Sequence, residues 1–174
     1  MYEKTLRSKR IYKGRIVGLR DDTVLTSSGV ISHREIVEHP GAVAVIAVEK
    51  GNIILIRQFR KTAEKVLLEI PAGLVKKGET PLCAARRELA EETGYYAGKI
   101  KELFWGYSSP GCSTEIIRFF LATHLKKVGQ NCDHDEIIEV ELVPIKKALK
   151  LIKNKGITDN KTMIAVLAVN TWKK

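Results

Sequence analysis

The chain has 174 residues, 44% of them hydrophobic and 29% charged, with a formal net charge of +10. That length suits one well-buried domain and excludes two of ordinary size, and the composition is that of a soluble globular protein. The longest apolar runs, Ala42 to Val48 and Met163 to Val169, are too short to span a bilayer, and no apolar stretch follows the charged start, so neither a membrane anchor nor a secretory signal is expected.

From Arg10 to Glu38 the chain is rich in Ile, Val and Thr, with turn signals at Asp21-Asp22 and Ser28-Gly29, which predicts two or three antiparallel strands closed by Pro40-Gly41. The continuous apolar run Ala42 to Glu49, the turn Lys50-Gly51-Asn52 and the run Ile53 to Phe59 predict a central hairpin. Val66 to Ile70 reads as a short strand stopped by Pro71. A helix follows with strong punctuation: Thr80 as N-cap, Pro81 at the first helical position, Gly94 as the stop, and Leu82, Ala85 and Leu89 as a narrow apolar stripe. Ile100 to Tyr107 and Glu115 to Thr123 read as strands around a turn at Ser108 to Gly111. Ile137 to Val143 is a further strand with alternating acidic residues, and two amphipathic helices, Ile145 to Lys153 and Asp159 to Trp172, finish the chain. Strands with helices on either side indicate an α/β sandwich.

Three cysteines, Cys83, Cys112 and Cys132, leave an odd one in any disulfide scheme and form no C-x-x-C pair, so reduced thiols and a cytoplasmic protein are expected. The +10 charge is spread over scattered lysines. It reads as a solvated surface, compatible with a field that steers a small polyanion into a cleft. Nucleic-acid binding is disfavoured, since no motif that reads RNA or DNA is recognisable.

Glu88, Glu91 and Glu92 stand at i, i+3 and i+4 on one face of the predicted helix. Like charges at that spacing repel, and they sit where the macrodipole is already negative; each effect is some tenths of a kcal/mol and of the wrong sign. On an arbitrary helix, three glutamates are a solvated face relieved here by Arg86, Arg87 and lysines. A cluster this tight, ending at a tight turn, is better explained by a bound cation. Magnesium and manganese take carboxylate oxygens and keep waters that phosphates can replace.

The segment Gly73 to Tyr95, GLVKKGETPLCAARRELAEETGY, resembles the Nudix box, G-x5-E-x7-R-E-U-x-E-E-x-G-U, with U a bulky apolar residue. Gly73, Glu79, Arg87, Glu88, Glu91, Glu92 and Gly94 fill every fixed position and Leu89 the first U; Tyr95 is aromatic at the last. The resemblance implies a Nudix-type α/β/α sandwich with a mixed sheet, preceded by an N-terminal antiparallel β region. It implies Glu88 and Glu92 as principal ligands of Mg2+ (or Mn2+), Glu91 as ligand or water-orienting group, and the Ala72 carbonyl as a further ligand. Glu79 and Arg87 would form a bracing ion pair, Arg87 also reaching Glu91, with Gly73 and Gly94 as structural positions. A base can come from the box, where Glu91 is the candidate, or from the acidic loop Asp133-His134-Asp135-Glu136. In that loop Glu136 is the candidate ligand or base, with Glu139 in reserve; similar enzymes often have an acid where His134 reads as a surface histidine.

Other features resemble the ADP-ribose pyrophosphatase branch: Ser109-Pro110-Gly111 with the proline sixteen residues after Gly94, then Glu115; Arg57-Gln58-Phe59-Arg60; Glu69-Ile70-Pro71-Ala72-Gly73; Arg34-Glu35-Ile36-Val37; and Asp159-Asn160-Lys161-Thr162. The resemblance implies Arg60, Arg34, Pro110 and Glu115 as substrate-binding residues. It also implies a homodimer through residues 1–40, with 41–174 as the catalytic domain. Tyr12 stays open between stacking on adenine and core packing. The implied reaction is hydrolysis of ADP-ribose to AMP and ribose 5-phosphate. The alternatives are another ADP-sugar, a dinucleotide or an oxidised nucleotide as substrate, or a regulator that binds a nucleotide without cutting it.

Overall fold

The structure, a computed structural model, describes residues 1–132 and 137–172. In chain order its elements are β1 (Glu3–Lys13), β2 (Gly18–Thr26), β3 (Ile31–Glu38), β4 (Ala42–Glu49), β5 (Asn52–Arg60), β6 (Lys65–Glu69), β7 (Ala72–Leu74), α1 (Pro81–Thr93), β8 (Tyr95–Tyr107), β9 (Ile116–Lys127), β10 (Ile138–Pro144), α2 (Ile145–Lys153) and α3 (Asn160–Thr171). They fall into two compact units, one of Met1–Ala42 with Trp105–Ile117, the other of Val43–Phe104 with Arg118–Lys174.

The first unit is built on an antiparallel sheet in the order β1-β2-β3. The expected turn at Asp21-Asp22 does not form: both residues lie inside β2, opposite Glu35 and Arg34 of β3. Two contacts explain this: the Arg20 guanidinium reaches Asp22 along the same strand at 3.3 Å, and the His33 ring of β3 lies 3.3 Å from Asp21 across the pair, so both acidic residues are partnered inside the sheet. The turn falls instead at Ser28-Gly29, where Gly29 takes φ +82. The first strand begins at Glu3, not Arg10, and every residue of it is exposed. Residues 112–114 are tied to β3 by backbone bonds, Val37 N–H to Cys112 (2.8 Å) and Thr114 N–H to Val37 (3.0 Å).

The second unit carries a sheet in the order β10-β5-β4-β9-β8, with β6 on β5 and β7 on β4. The central hairpin forms as expected: Lys50 and Gly51 both have positive φ, 47° and 81°, which the right-handed twist of a two-residue hairpin requires. Val43, Val45 and Ala47 of β4 pack with Ala84, Ala85 and Leu89 of α1 and with Phe120 and Ala122. Leu82, expected in that stripe, is exposed instead. Alternation turns Ala44 and Ile46 to the other face, where they are buried too. Helix α2 packs on β5 and β10, and α3 on β6 and α2. Burial of β4 on both faces is why its sequence is a continuous apolar run. No helix among the described residues is long and apolar enough to cross a membrane.

Candidate functional site

Helix α1 is fixed at both ends. The Thr80 hydroxyl accepts the Cys83 N–H at 3.3 Å, and Gly94 (φ +70) donates its N–H to Ala90 at 2.9 Å. Between these caps the acidic face meets Arg87. Its Nε and Nη2 each lie 2.9 Å from a Glu79 oxygen, its Nη1 donates to Glu88 (2.6 Å) and Glu91 (2.9 Å), and its Nη2 also donates to the Leu74 carbonyl at 3.0 Å. One guanidinium therefore joins the loop of residues 74–79 to two carboxylates of the helix. The bond to Arg87 holds the Glu79 carboxyl below its ordinary range against slight desolvation, helped by the Lys76 N–H.

Glu88 is different. Burial pushes its carboxyl above the ordinary range, and the neighbouring Glu91 adds to this; the bond to Arg87 does not fully offset them. The carboxylate lies against Gly73 so closely that a Cβ there would be 2.2 Å from its Cδ and Oε1. Glu92 is buried and accepts the Ala72 N–H at 3.0 Å. This is a cradle of hard oxygens that a side chain at Gly73 would fill, and such a donor set fits a divalent cation of the magnesium or manganese kind. Among the described residues, no three acidic, histidine or cysteine side chains converge closely enough to enclose an ion unaided. The reason is local: Arg87 engages Glu88 and Glu91, while Glu92 turns to the Ala72 backbone. Glu136, with Asp133, His134 and Asp135, lies outside the described residues. Glu139 is an exposed residue of β10 opposite Arg57.

Arg60 ends β5, and its Nε and Nη2 each lie 2.8 Å from a different oxygen of Glu69. Lys161 bonds the same carboxylate. The bond to Glu69 raises the Arg60 pKa against the cost of burial, and the charges of Glu69, Glu92 and Asp159 raise it further, so Arg60 stands within electrostatic reach of the box. Glu69 and Lys161 were not singled out as site residues from the sequence. The signal was a glutamate inside the apolar run Val66 to Ile70, since a buried acid needs a cation.

The other candidates belong to the first unit. Arg34 donates to Glu3 through Nε (3.1 Å) and Nη2 (2.5 Å), and through Nη1 to Ser32 (2.9 Å) and the His33 carbonyl (2.8 Å). With Asp21, His33, Glu35, Gly111 and Cys112 it lines an open cleft of about 560 Å³. Pro110 stands in the turn closed by the Cys112 N–H to Ser109 bond (3.1 Å). Glu115 lies 3.6 Å from His39 and is not part of that cleft's lining. Tyr12 is exposed, so of its two readings core packing within this chain is excluded.

A sequence profile described as NUDIX domain matches residues 37–165. An ADP-ribose pyrophosphatase of Bacillus subtilis (strain 168) is 44% identical over 167 residues, 94% of this chain and 90% of that protein. A Bacillus methanolicus protein named methanol dehydrogenase activator is 45% identical with the same coverage. An ADP-ribose pyrophosphatase of Mycobacterium tuberculosis is 38% identical over 96% of this chain and 83% of its own. A solved structure titled as an ADP compounds hydrolase shares the fold, with a TM-score of 0.88 over 99% of this chain and 94% of that one, at 22% identity.

Proposed function

This chain belongs to the NUDIX domain family, and from that premise we propose that it hydrolyses the diphosphate bond of ADP-ribose to AMP and ribose 5-phosphate, with magnesium as its working ion. The carrying observation is the Glu88 carboxylate, pressed against Gly73 on a face shared with Glu91 and Glu92. The choice of substrate draws on two ADP-ribose pyrophosphatases that resemble the chain over nearly its whole length.

Glu88, Glu91, Glu92 and the Ala72 carbonyl would hold the ion, with Glu136 as a further ligand. When bound, a divalent cation there neutralises diphosphate oxygens and makes water more acidic. The chain's own groups supply the rest. Arg87 keeps Glu88 and Glu91 on one side of the helix, and Glu91 or Glu136 accepts the proton of the attacking water. Arg60 presents guanidinium N–H groups to phosphate oxygens, a geometry that carboxylates and phosphates share.

We place the protein in the cytoplasm, in keeping with three cysteines that carry thiols, and read it as a homodimer through its N-terminal strands. A second reading is favoured by the relative named methanol dehydrogenase activator: the chain would act on a dehydrogenase, with or without hydrolysis.

Hydrolysis of ADP-ribose with magnesium, beside ADP-glucose, NADH, diadenosine polyphosphates and 8-oxo-dGTP, tests the proposal, with Glu92→Gln as control. The expected result is a preference for ADP-ribose that falls at least roughly 100-fold in the control. Preference for another substrate keeps the chemistry and removes the substrate assignment. Binding without turnover, together with stimulation of an alcohol dehydrogenase, selects the second reading.

A further inference from the structure

The first turn of α3 is joined to the strand before the box by a chain of charges. Glu69 is 1% exposed and already matched by the bidentate guanidinium of Arg60. A second cation nevertheless sits on it: the Lys161 ammonium bonds Glu69 Oε2 and lies 3.1 Å from Asp159 on its other side. The signs alternate through Arg60, Glu69, Lys161 and Asp159. Asp159 also caps α3, accepting the Thr162 N–H (3.0 Å) and hydroxyl (2.5 Å), while that hydroxyl accepts the Ile70 N–H at 2.8 Å.

Lys161 is costly where it stands. Its side chain is only 14% exposed, and it occupies the second position of a helix, where the macrodipole is positive and disfavours cations. Neutralising Glu69 does not require it, because a bidentate arginine does that alone. What Lys161 changes is Arg60. A carboxylate divided between two cations cannot fully neutralise either, so Arg60 keeps positive charge to offer. Arg60 also has groups to offer it with: its Nη1 makes no hydrogen bond among the described residues, and its side chain is 36% exposed.

We propose that Lys161 is a positioning residue for anion binding: by sharing Glu69 it fixes the Arg60 guanidinium and leaves part of its charge available for a substrate's diphosphate. This rests on the reading above that Arg60 meets substrate phosphates. Asp159 acts in the opposite sense, drawing Lys161 away from Glu69.

The test compares wild type with Lys161→Met, Lys161→Arg and Asp159→Asn. It uses ADP-ribose hydrolysis with magnesium, calorimetric binding of an ADP-ribose analogue whose bridging oxygen is a methylene, and thermal melting. Lys161→Met is expected to raise KM and the analogue Kd about five-fold, with kcat within about two-fold, because the box carboxylates are untouched. Lys161→Arg restores both constants, and Asp159→Asn leaves them unchanged or tighter. A merely structural role predicts that Lys161→Met and Asp159→Asn fail together, with losses that follow melting temperature; that result overturns the proposal, as does an unchanged Kd in Lys161→Met. If wild type binds the analogue but does not cut ADP-ribose, the hydrolysis reading falls, while weaker binding in Lys161→Met alone still upholds the role of Lys161. If wild type binds neither, both fall. Lys161→Gln carries the same test should the methionine variant not fold.

Discussion

Gly73 lends Glu88 the space that a side chain would take. Its backbone is not in the left-handed region, so alanine fits its conformation; what alanine cannot do is leave the Glu88 carboxylate in place, 2.2 Å from the new Cβ. The obstructing group is the end of a flexible side chain, which can swing aside. Gly73→Ala is therefore expected to cost under about 1 kcal/mol of stability. Because a small misplacement at a reacting centre costs far more in rate than in stability, hydrolysis should fall roughly 100-fold or more. Melting and kcat measured on the same preparation check it; a fall in both together would mean that Gly73 serves the fold alone. Glu69 predicts the opposite pattern. Replacing it by glutamine leaves Arg60 without its anion and Lys161 with Asp159 alone, at a cost of about 3–5 kcal/mol near neutral pH. Burial pushes the Glu69 carboxyl up, but the bonds to Arg60 and Lys161 more than offset it, and the net shift is downward. A depressed carboxyl contributes stability that is complete above its unfolded pKa of about 4.3 and is lost as pH falls through the folded value. Urea midpoints of wild type and Glu69→Gln should thus differ by a constant amount down to roughly pH 5 and converge below about pH 4. A gap undiminished at pH 3 would rule out the ionised carboxylate as its source.

Helix α1 ends where it does because of Gly94. Its φ of +70 is a conformation that costs an L-residue about 1–2 kcal/mol, and a Cβ there would also meet backbone, Gln130 N at 2.7 Å and Gly129 C at 2.9 Å. Gly51, in the β4–β5 turn, has φ +81 but open space around it. Gly94→Ala should therefore destabilise by more than about 3 kcal/mol and Gly51→Ala by only about 1; equal losses of melting temperature would show that the contact with residues 129–130 is soft. This helix was readable in the sequence because its signals are local: Thr80 caps it, Pro81 opens it, Gly94 closes it, and the Glu79–Arg87 pair spans eight residues. The β4–β5 hairpin was readable for the same reason. Strand β1 was not, since a strand exposed on both faces has no alternation to read. Asp21-Asp22 misled because its carboxylates are met by Arg20, within the same strand, and by the His33 ring on the next. The Glu69–Lys161 contact joins residues 92 apart, beyond any local pattern. The box gave the acidic face and the reach of Arg87 to Glu79 and Glu91, but it did not announce that the same guanidinium also engages Glu88.

At the scale of the molecule, the exposed strand of the first unit is its edge strand, β1. All eleven residues of β1 are exposed, among them Leu6, Ile11 and Tyr12, and a three-stranded sheet is stable in water only with an apolar face covered. On the homodimer proposed above, a second copy of the chain would supply that cover, which predicts a mass near twice 19.5 kDa by light scattering and a monomer of lower melting temperature in Leu6→Asp. Charge sharpens the prediction. Strand β1 carries Lys4, Arg7, Lys9, Arg10 and Lys13 against Glu3, in a chain of net charge +10, so two copies meeting there repel each other. Salt shortens the reach of that repulsion to about 10 Å at 0.1 M and less above it. Dimerisation should therefore tighten as ionic strength rises, while capture of an anionic substrate, which the same charge assists, should weaken. Sedimentation and KM measured across one salt series separate the two trends. A dimer that loosens with salt would place the interface on an ion-paired surface elsewhere, and a monomer throughout would leave β1 held by its pairing with β2.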